Sequence, residues 1–240
     1  MLIGDNGIDV YQYGTVDRIS PEAPIPVFVP SYSEEREGMA GNVYANLKAL
    51  GCDVNFLCGH ASKKTRLIDS RSKQQIVRID NDVQSSPIEF GTAIPDIYDA
   101  VVISDYNKGV VSYNLIEEII ATVSCPVFVD TKKTDLARLN GCYIKINELE
   151  KSRATSLPNS EWLIITLGNK GAMWDGWTFG AKSVEVADVC GAGDTFLASL
   201  VYQYLNTNGS VPNAINFAID ASAITVQHLG CYAPTLEEIK

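Results

Sequence analysis

Short apolar runs recur along the chain at Met1 to Gly4, Val54 to Leu57, Ala100 to Ser104, Val127 to Asp130, Tyr143 to Ile146 and Leu163 to Thr166. Runs of this length, with few polar positions, predict strands covered on both faces, as in a parallel sheet. Helical spacing lies between and after them. Ser112 to Val123 places Leu115, Ile116, Ile119, Ile120 and Val123 on one face, and a helix opening near Gly38 to Asn42 stops at Gly51. After Asp194 the positions Phe196, Leu197, Leu200, Val201, Tyr204 and Leu205 form another apolar face, and Ser210 with Pro212 opens a last long helix through Ile224. This alternation predicts a single α/β domain over residues 1–240.

Two stretches break the pattern. Tyr11 to Tyr32 carries Pro21, Pro24, Pro26 and Pro30 among apolar residues, which excludes a helix and suits edge strands or extended connections. Thr65 to Asp80 alternates in part, as a half-exposed strand pair turning around Asp69 to Lys73 would. Together, segments near 11–36 and 64–82 predict a small sheet standing off the core, able to cover a substrate or to pair with another copy. Asp5 to Asp9 reads as a turn after the first strand; Asp9 is a candidate hydroxyl ligand there, or simply a turn residue.

The chain has 240 residues, 46% of them hydrophobic, enough for a full core. A formal net charge of −10 opposes nucleic acid or an anionic membrane as a bulk electrostatic partner, so any phosphate site must be local. The N-terminus lacks a signal-peptide pattern and no run is long enough to span a membrane, from which a cytoplasmic protein is expected. The six cysteines stand singly, without a C-x-x-C pair, and read as reduced thiols.

Several predicted strands end in polar residues, namely Asp105, Asp130, Asn147 with Glu150, and Thr166 before Gly168, which points to one crevice lined by strand ends. The densest chemistry is Asp188-Val-Cys-Gly-Ala-Gly-Asp194-Thr195, read between a strand-like run at Val184 to Val186 and a helix beginning near Thr195. Glycines beside a helix N-terminus present amides to an anion. An acid inside such a site makes sense where it takes a proton from an attacking hydroxyl, and the combination suggests phosphoryl transfer.

These residues resemble the ribokinase-like (PfkB) carbohydrate kinases. Asp188 to Asp194 is similar to that family's C-terminal signature, Gly38-Met-Ala-Gly-Asn42 to its glycine-rich N-terminal signature, Asn147-Glu-Leu-Glu150 to N-x-x-E, and Thr166-Leu-Gly-Asn-Lys-Gly171 to T-x-G-x-x-G. Within the family, Arg18-Ile-Ser-Pro-Glu-Ala-Pro, Lys64-Thr-Arg66, Gln74-Gln75 with Arg78, and Ser104-Asp-Tyr-Asn-Lys-Gly109 resemble the group that phosphorylates D-glycero-β-D-manno-heptose 7-phosphate at its anomeric hydroxyl. The resemblance implies a three-layer sandwich with a central, mostly parallel sheet and a small β-lid, magnesium and ATP as cofactors, a sugar or sugar phosphate as acceptor, and a homodimer formed through the lid.

It also implies roles. Asp194 would be the base, with the amides of Gly191, Ala192 and Gly193 stabilising the transferring group. Asp9, Gly38 and Asn42 would hold sugar hydroxyls, and Arg18, Arg66, Arg78 and Lys108 are the candidate cations for a sugar phosphate. Asn147 and Glu150 would hold magnesium, through water at least in part, and Thr166, Gly168 and Gly171 would lie along the nucleotide. The sequence departs from the family in placing Met39 where a second glycine is usual, in Cys231, and in short connections at 60–64 and 150–162. Another sugar, a sugar phosphate or a nucleoside as acceptor, and a degenerate kinase fold acting as a binding module, are the competing expectations.

Overall fold

The computed structural model of the protein describes residues 1–89 and 97–239. Its strands are β1 (Leu2–Gly4), β2 (Asn6–Ile19), β3 (Pro26–Met39), β4 (Phe56–Cys58), β5 (Ser62–Asp69), β6 (Gln75–Asn81), β7 (Val101–Asp105), β8 (Val127–Thr131), β9 (Tyr143–Asn147), β10 (Leu163–Thr166), β11 (Ala172–Trp174) and β12 (Trp177–Phe179). The helices are α1 (Ala40–Ala49), α2 (Tyr113–Thr122), α3 (Glu148–Arg153), α4 (Ala192–Asn206), α5 (Val211–Thr225) and α6 (Leu236–Ile239).

Eight strands form the main sheet in the order β12-β11-β10-β9-β8-β7-β1-β4, parallel from β10 to β4. Alternate residues of its strands face opposite layers. Leu2, Val102, Phe128 and Ile164 pack under α1, α4 and α5 with Val43, Leu47, Leu197, Leu200, Ile215 and Ala218. Ile3, Ile103, Val129 and Ile144 face the other way, onto Leu115, Ile116 and Ile119 of α2 and onto Leu136 and Leu139. Two apolar faces on one sheet require two covering layers, which gives the three-layer sandwich.

The small sheet has the order β3-β2-β5-β6, with β2 and β5 parallel and the outer pairs antiparallel. The prolines explain themselves here. Pro21 and Pro24 lie in the connection between β2 and β3, Pro26 opens β3, and Pro30 sits where the β2–β3 register shifts between Tyr13 and Gly14. β3 is an edge strand, where a missing N–H is tolerated.

Three local expectations need correction. Asp5 to Asp9 is not a turn, because β2 begins at Asn6 and Asp5 alone lies between strands. Val184 to Val186 forms no strand; the chain there is tethered instead by Ala187 N and Asp188 N, which both donate to Val226 O. Helix α4 begins at Ala192 rather than near Thr195, since Gly191 adopts a left-handed conformation (φ 77°) that starts the helix directly after it. The antiparallel pair β11–β12 was not legible from the apolar runs.

Candidate active site

The parallel strands set their C-terminal ends side by side: Gly4 pairs with Ser104, Ser104 with Asp130, Asp130 with Lys145, and Asn147 with Thr166. The polar residues that follow therefore share one crevice, into which the first turn of α4 brings Asp194.

Asp194 is buried and both its carboxylate oxygens are held. Oδ1 accepts from the Tyr106 hydroxyl at 2.6 Å, and Oδ2 accepts from Asn42 Nδ2 at 2.8 Å. Burial raises its pKa to about 6, against the hydrogen bonds from Tyr106 and Asn42 that lower it; Asp130 adds to the rise and Lys145 opposes it. A carboxylate of this kind is ionised at neutral pH yet basic enough to take a proton. Asn42 lies in the first turn of α1, donates to Asp194, and is fixed by Asn46 Nδ2 on its carbonyl oxygen and Oδ1 at 2.8 and 3.2 Å. It is not the cap of that helix: the cap position is Met39, which holds φ 53°, a conformation unfavourable for a residue with a side chain. Gly191 packs so closely that a Cβ there would lie 2.7 Å from Asn42 Nδ2.

Tyr106 is delivered by the loop after β7. Asp5, buried at the end of β1, accepts the amides of Tyr106 (2.8 Å), Lys108 (2.9 Å) and Val110 (3.1 Å) and so ties that loop to the sheet. The Tyr106 ring lies near two ammonium groups, Lys132 Nζ at 5.2 Å and Lys64 Nζ from β5 at 5.9 Å. Burial and the neighbouring Asp194 push its hydroxyl well above the ordinary tyrosine pKa, so it stays a donor to the base.

A second buried group sits beneath the α4 turn. Lys145, in the middle of β9, pairs with Asp130 at 2.6 Å, both nearly inaccessible, and a Cβ on Gly193 would lie 2.9 Å from its Nζ. Its ammonium thus adds positive charge to a place where the first amides of α4 already lack intrahelical partners. The Ala192 amide makes only a long bond to Val189 O, 3.4 Å.

Asn147 and Glu150 form a reciprocal capping box on α3: Glu150 N donates to Asn147 Oδ1 at 2.9 Å, and Asn147 N to Glu150 Oε2 at 2.8 Å. The other oxygen of Glu150 meets Lys132. Burial works to lower the pKa of Lys132, but Asp130, Glu150 and Asp194 together raise it, so it stays charged. Among the described residues no group of three or more His, Cys, Asp or Glu is placed to hold a metal directly. Both oxygens of Glu150 are engaged here, Oε2 by Asn147 N and Oε1 by Lys132, so a magnesium ion served by this residue would be met through water. Thr166 closes β10, Gly168 (φ 58°) borders open space, and Gly171 (φ 95°) turns the chain into β11.

On the other flank, buried Asp9 pairs with Arg66 through Oδ1, and Oδ2 lies 3.6 Å from Cys231 Sγ. Gly38 is required beside it, since a Cβ there would stand 2.6 Å from Asp9 Oδ2. Cys231 in turn abuts Gly191, which links the Asp9 cluster to the Asp194 turn. Of the four candidate cations only Arg66 is in this cluster. Arg18 is exposed toward the far end of β2, Arg78 is exposed and paired with Asp80 at 2.8 Å, and Lys108 is drawn to Asp82 at 2.6 Å. Asp130 lines the crevice as its position at a strand end predicts, whereas Tyr106, Lys145 and Lys132 were not predicted as site residues; for Lys145 the local signal was a lysine flanked by Ile144 and Ile146 in a buried strand.

A sandwich of this topology, with a helix-start turn carrying a buried acid at the strand ends, is the ribokinase-like α/β fold. The profile described as pfkB family carbohydrate kinase matches residues 116–239, just over half of the chain, and the chain belongs to that family. The protein named Bifunctional protein HldE from a Nitratiruptor species is 32% identical over 298 positions, covering 100% of this chain and 64% of that protein. The chain therefore spans less than two thirds of that relative, and 298 positions against 240 residues is a difference of 58. The fold is also that of the ligand-free Burkholderia thailandensis nucleoside kinase (TM-score 0.70, 17% identity, 100% of this chain and 98% of that one). Arabidopsis thaliana ribokinase, solved with ribose and ATP, is similar as well (TM-score 0.68, 15% identity, 99% and 96%).

Proposed function

We propose that the protein transfers the γ-phosphoryl group of ATP to a sugar hydroxyl, with D-glycero-β-D-manno-heptose 7-phosphate as acceptor and the 1,7-bisphosphate as product. The observation that carries the reading is Asp194, a buried carboxylate with a pKa of about 6 held by Tyr106 and Asn42 at the first turn of a helix. A binding module has no use for such a base. The similarity to HldE supports the choice of heptose.

In this reading Asp194 takes the proton of the acceptor hydroxyl, and Asn42 orients the carboxylate. The amides of Gly191, Ala192 and Gly193, with Lys145 behind them, stabilise the charge on the transferring group. Asp9 accepts from sugar hydroxyls beside Gly38. Glu150 and Asn147 hold magnesium through water, and Thr166, Gly168 and Gly171 line the nucleotide. Magnesium, when bound, supplies charge neutralisation at the phosphates. The small sheet serves as lid and, through its exposed Ile19, Val29, Val77 and Ile79, as the contact between two copies in the cytoplasm.

The test is ADP release from magnesium-ATP across a panel of heptose 7-phosphate, pentoses, hexoses, their phosphates and nucleosides. Acceptor-dependent ADP, fastest with heptose 7-phosphate, is expected. Preference for a nucleoside or a free sugar would replace the acceptor, and ATP binding without transfer to any of them would favour a binding module.

A further inference from the structure

Met39 takes no part in the proton or phosphoryl transfer, yet its backbone is held under strain. Its φ of 53° and ψ of −133° lie in a region that glycine enters freely and residues with a Cβ avoid. Strain of this kind persists only where the surroundings over-determine it. Capping does not explain it, because the Met39 side chain makes no hydrogen bond to the start of α1. Core packing does not either. Met39 is only 5% exposed, but among the described residues it belongs to neither apolar layer of the main sheet.

Where the side chain lies follows from Gly7. Gly7 and Asp9 are two positions apart on β2, so their Cβ directions share one face of the small sheet. A Cβ on Gly7 would lie 2.9 Å from Met39 Cγ and 3.0 Å from its Sδ, so the thioether covers Gly7 on the face that carries the Asp9 carboxylate. Met39, Gly7, Asp9, Ser62 and Lys64 line a cleft there that has no room for a water molecule. Lys64 bounds it toward the main body, where its ammonium is 5.9 Å from the centre of the Tyr106 ring. Met39 also stands three residues before Asn42, one helical turn from the side chain that donates to Asp194. The thioether therefore borders the reacting end of the acceptor site.

We propose that Met39 is a specificity-determining residue, filling the space beside Asp9 that a bulkier acceptor would need. The proposal rests on the kinase reading and deepens it: the acceptor carries nothing larger than a hydroxyl on the ring carbon next to the one that reacts. Asp9 takes the hydroxyl, and Met39 limits what can stand in its place. An acetamido group there overlaps the side chain, and its amide is pressed against a thioether, which is no donor and a weak acceptor. With glycine at this position the backbone strain is relieved and the cleft opens over Gly7.

The test is transfer from magnesium-ATP to the acceptor the panel prefers and to its analogue with an acetamido group in place of the hydroxyl beside the reacting one. In the parent protein kcat/KM is expected to favour the hydroxyl form by about 100-fold or more. Met39→Gly is expected to cut that ratio to about 10-fold or less, through KM rather than kcat for the acetamido sugar. Met39→Leu, similar in volume and under the same backbone strain, keeps the parental ratio. A ratio unchanged in Met39→Gly, or one that falls equally in Met39→Leu, overturns the assignment, while transfer itself keeps the kinase. If no acceptor is phosphorylated, the kinase reading fails, and calorimetric titration with heptose 7-phosphate and its 2-acetamido analogue reads the same ratio as dissociation constants. A change confined to Met39→Gly then supports the role of Met39 without the kinase, and an unchanged ratio, or binding of neither sugar, discards both.

Discussion

Asp194→Asn lowers kcat by about 10²-fold or more, the range expected when a positioned proton acceptor is lost, while binding of ATP is largely kept. The substitution is close to isosteric, and the site can accommodate it. The Tyr106 hydroxyl and Asn42 Nδ2 both donate to the carboxylate. An asparagine offers one acceptor oxygen to Asn42 and an amide N–H to the Tyr106 oxygen, which can rotate its own hydrogen away. Folding is therefore preserved, and the loss belongs to the chemistry. Steady-state rates with a saturating acceptor, beside a direct titration of nucleotide, separate the two. Undiminished turnover would remove Asp194 from the mechanism.

Lys145→Met destabilises the fold by about 3–5 kcal/mol, because it leaves the Asp130 carboxylate buried without its counter-charge. Asp130 already has one oxygen, Oδ1, without a hydrogen-bond partner, and the other cation that interacts with it, Lys132, is shared with Glu150 and Asp194. The pair is 2.6 Å apart and almost wholly enclosed, which makes it unlike the surface pairs of this chain, such as Lys63 with Glu35. Urea denaturation measures the change. Replacing both members, as Lys145→Met with Asp130→Leu, recovers much of the stability, since an apolar pair of similar volume carries no desolvation cost. Turnover stays impaired in the double variant, because the positive charge under Gly193 is gone. A single variant as stable as the parent would mean that Asp130 is neutral or hydrated in the fold.

The parts of the site legible in sequence are those where local backbone demands local residues. Gly191 must start α4 in a left-handed conformation, and Asn147 with Glu150 makes a capping box within four residues. The strands of the parallel sheet were legible for a related reason, since burial on both faces leaves an unbroken apolar run. What escaped depends on distant partners. Tyr106 meets Asp194 across 88 positions and Asp5 holds its loop across 101, so neither contact leaves a trace in spacing. The four cations looked alike in sequence. The pairing of Arg78 with Asp80 is local, between residues on one face of β6, but only the pairing of β2 with β5 shows that Arg66 is turned inward to Asp9. The β11–β12 hairpin escaped because three-residue strands are too short to display a period.

The most direct test of the claim that Asp194 is the base of a phosphoryl-transfer site is the pH dependence of kcat/KM, in the parent protein and in Tyr106→Phe. Deprotonated Asp194 is the active form, and its pKa is raised to about 6 by burial, so activity is present above that pH and falls as pH drops through it. The Tyr106 hydrogen bond lowers this pKa, so its removal moves the acid limb to higher pH. An acid limb near 6 that shifts upward in Tyr106→Phe is the predicted result. A limb that stays in place in that variant, or a profile flat through this range, would contradict the account.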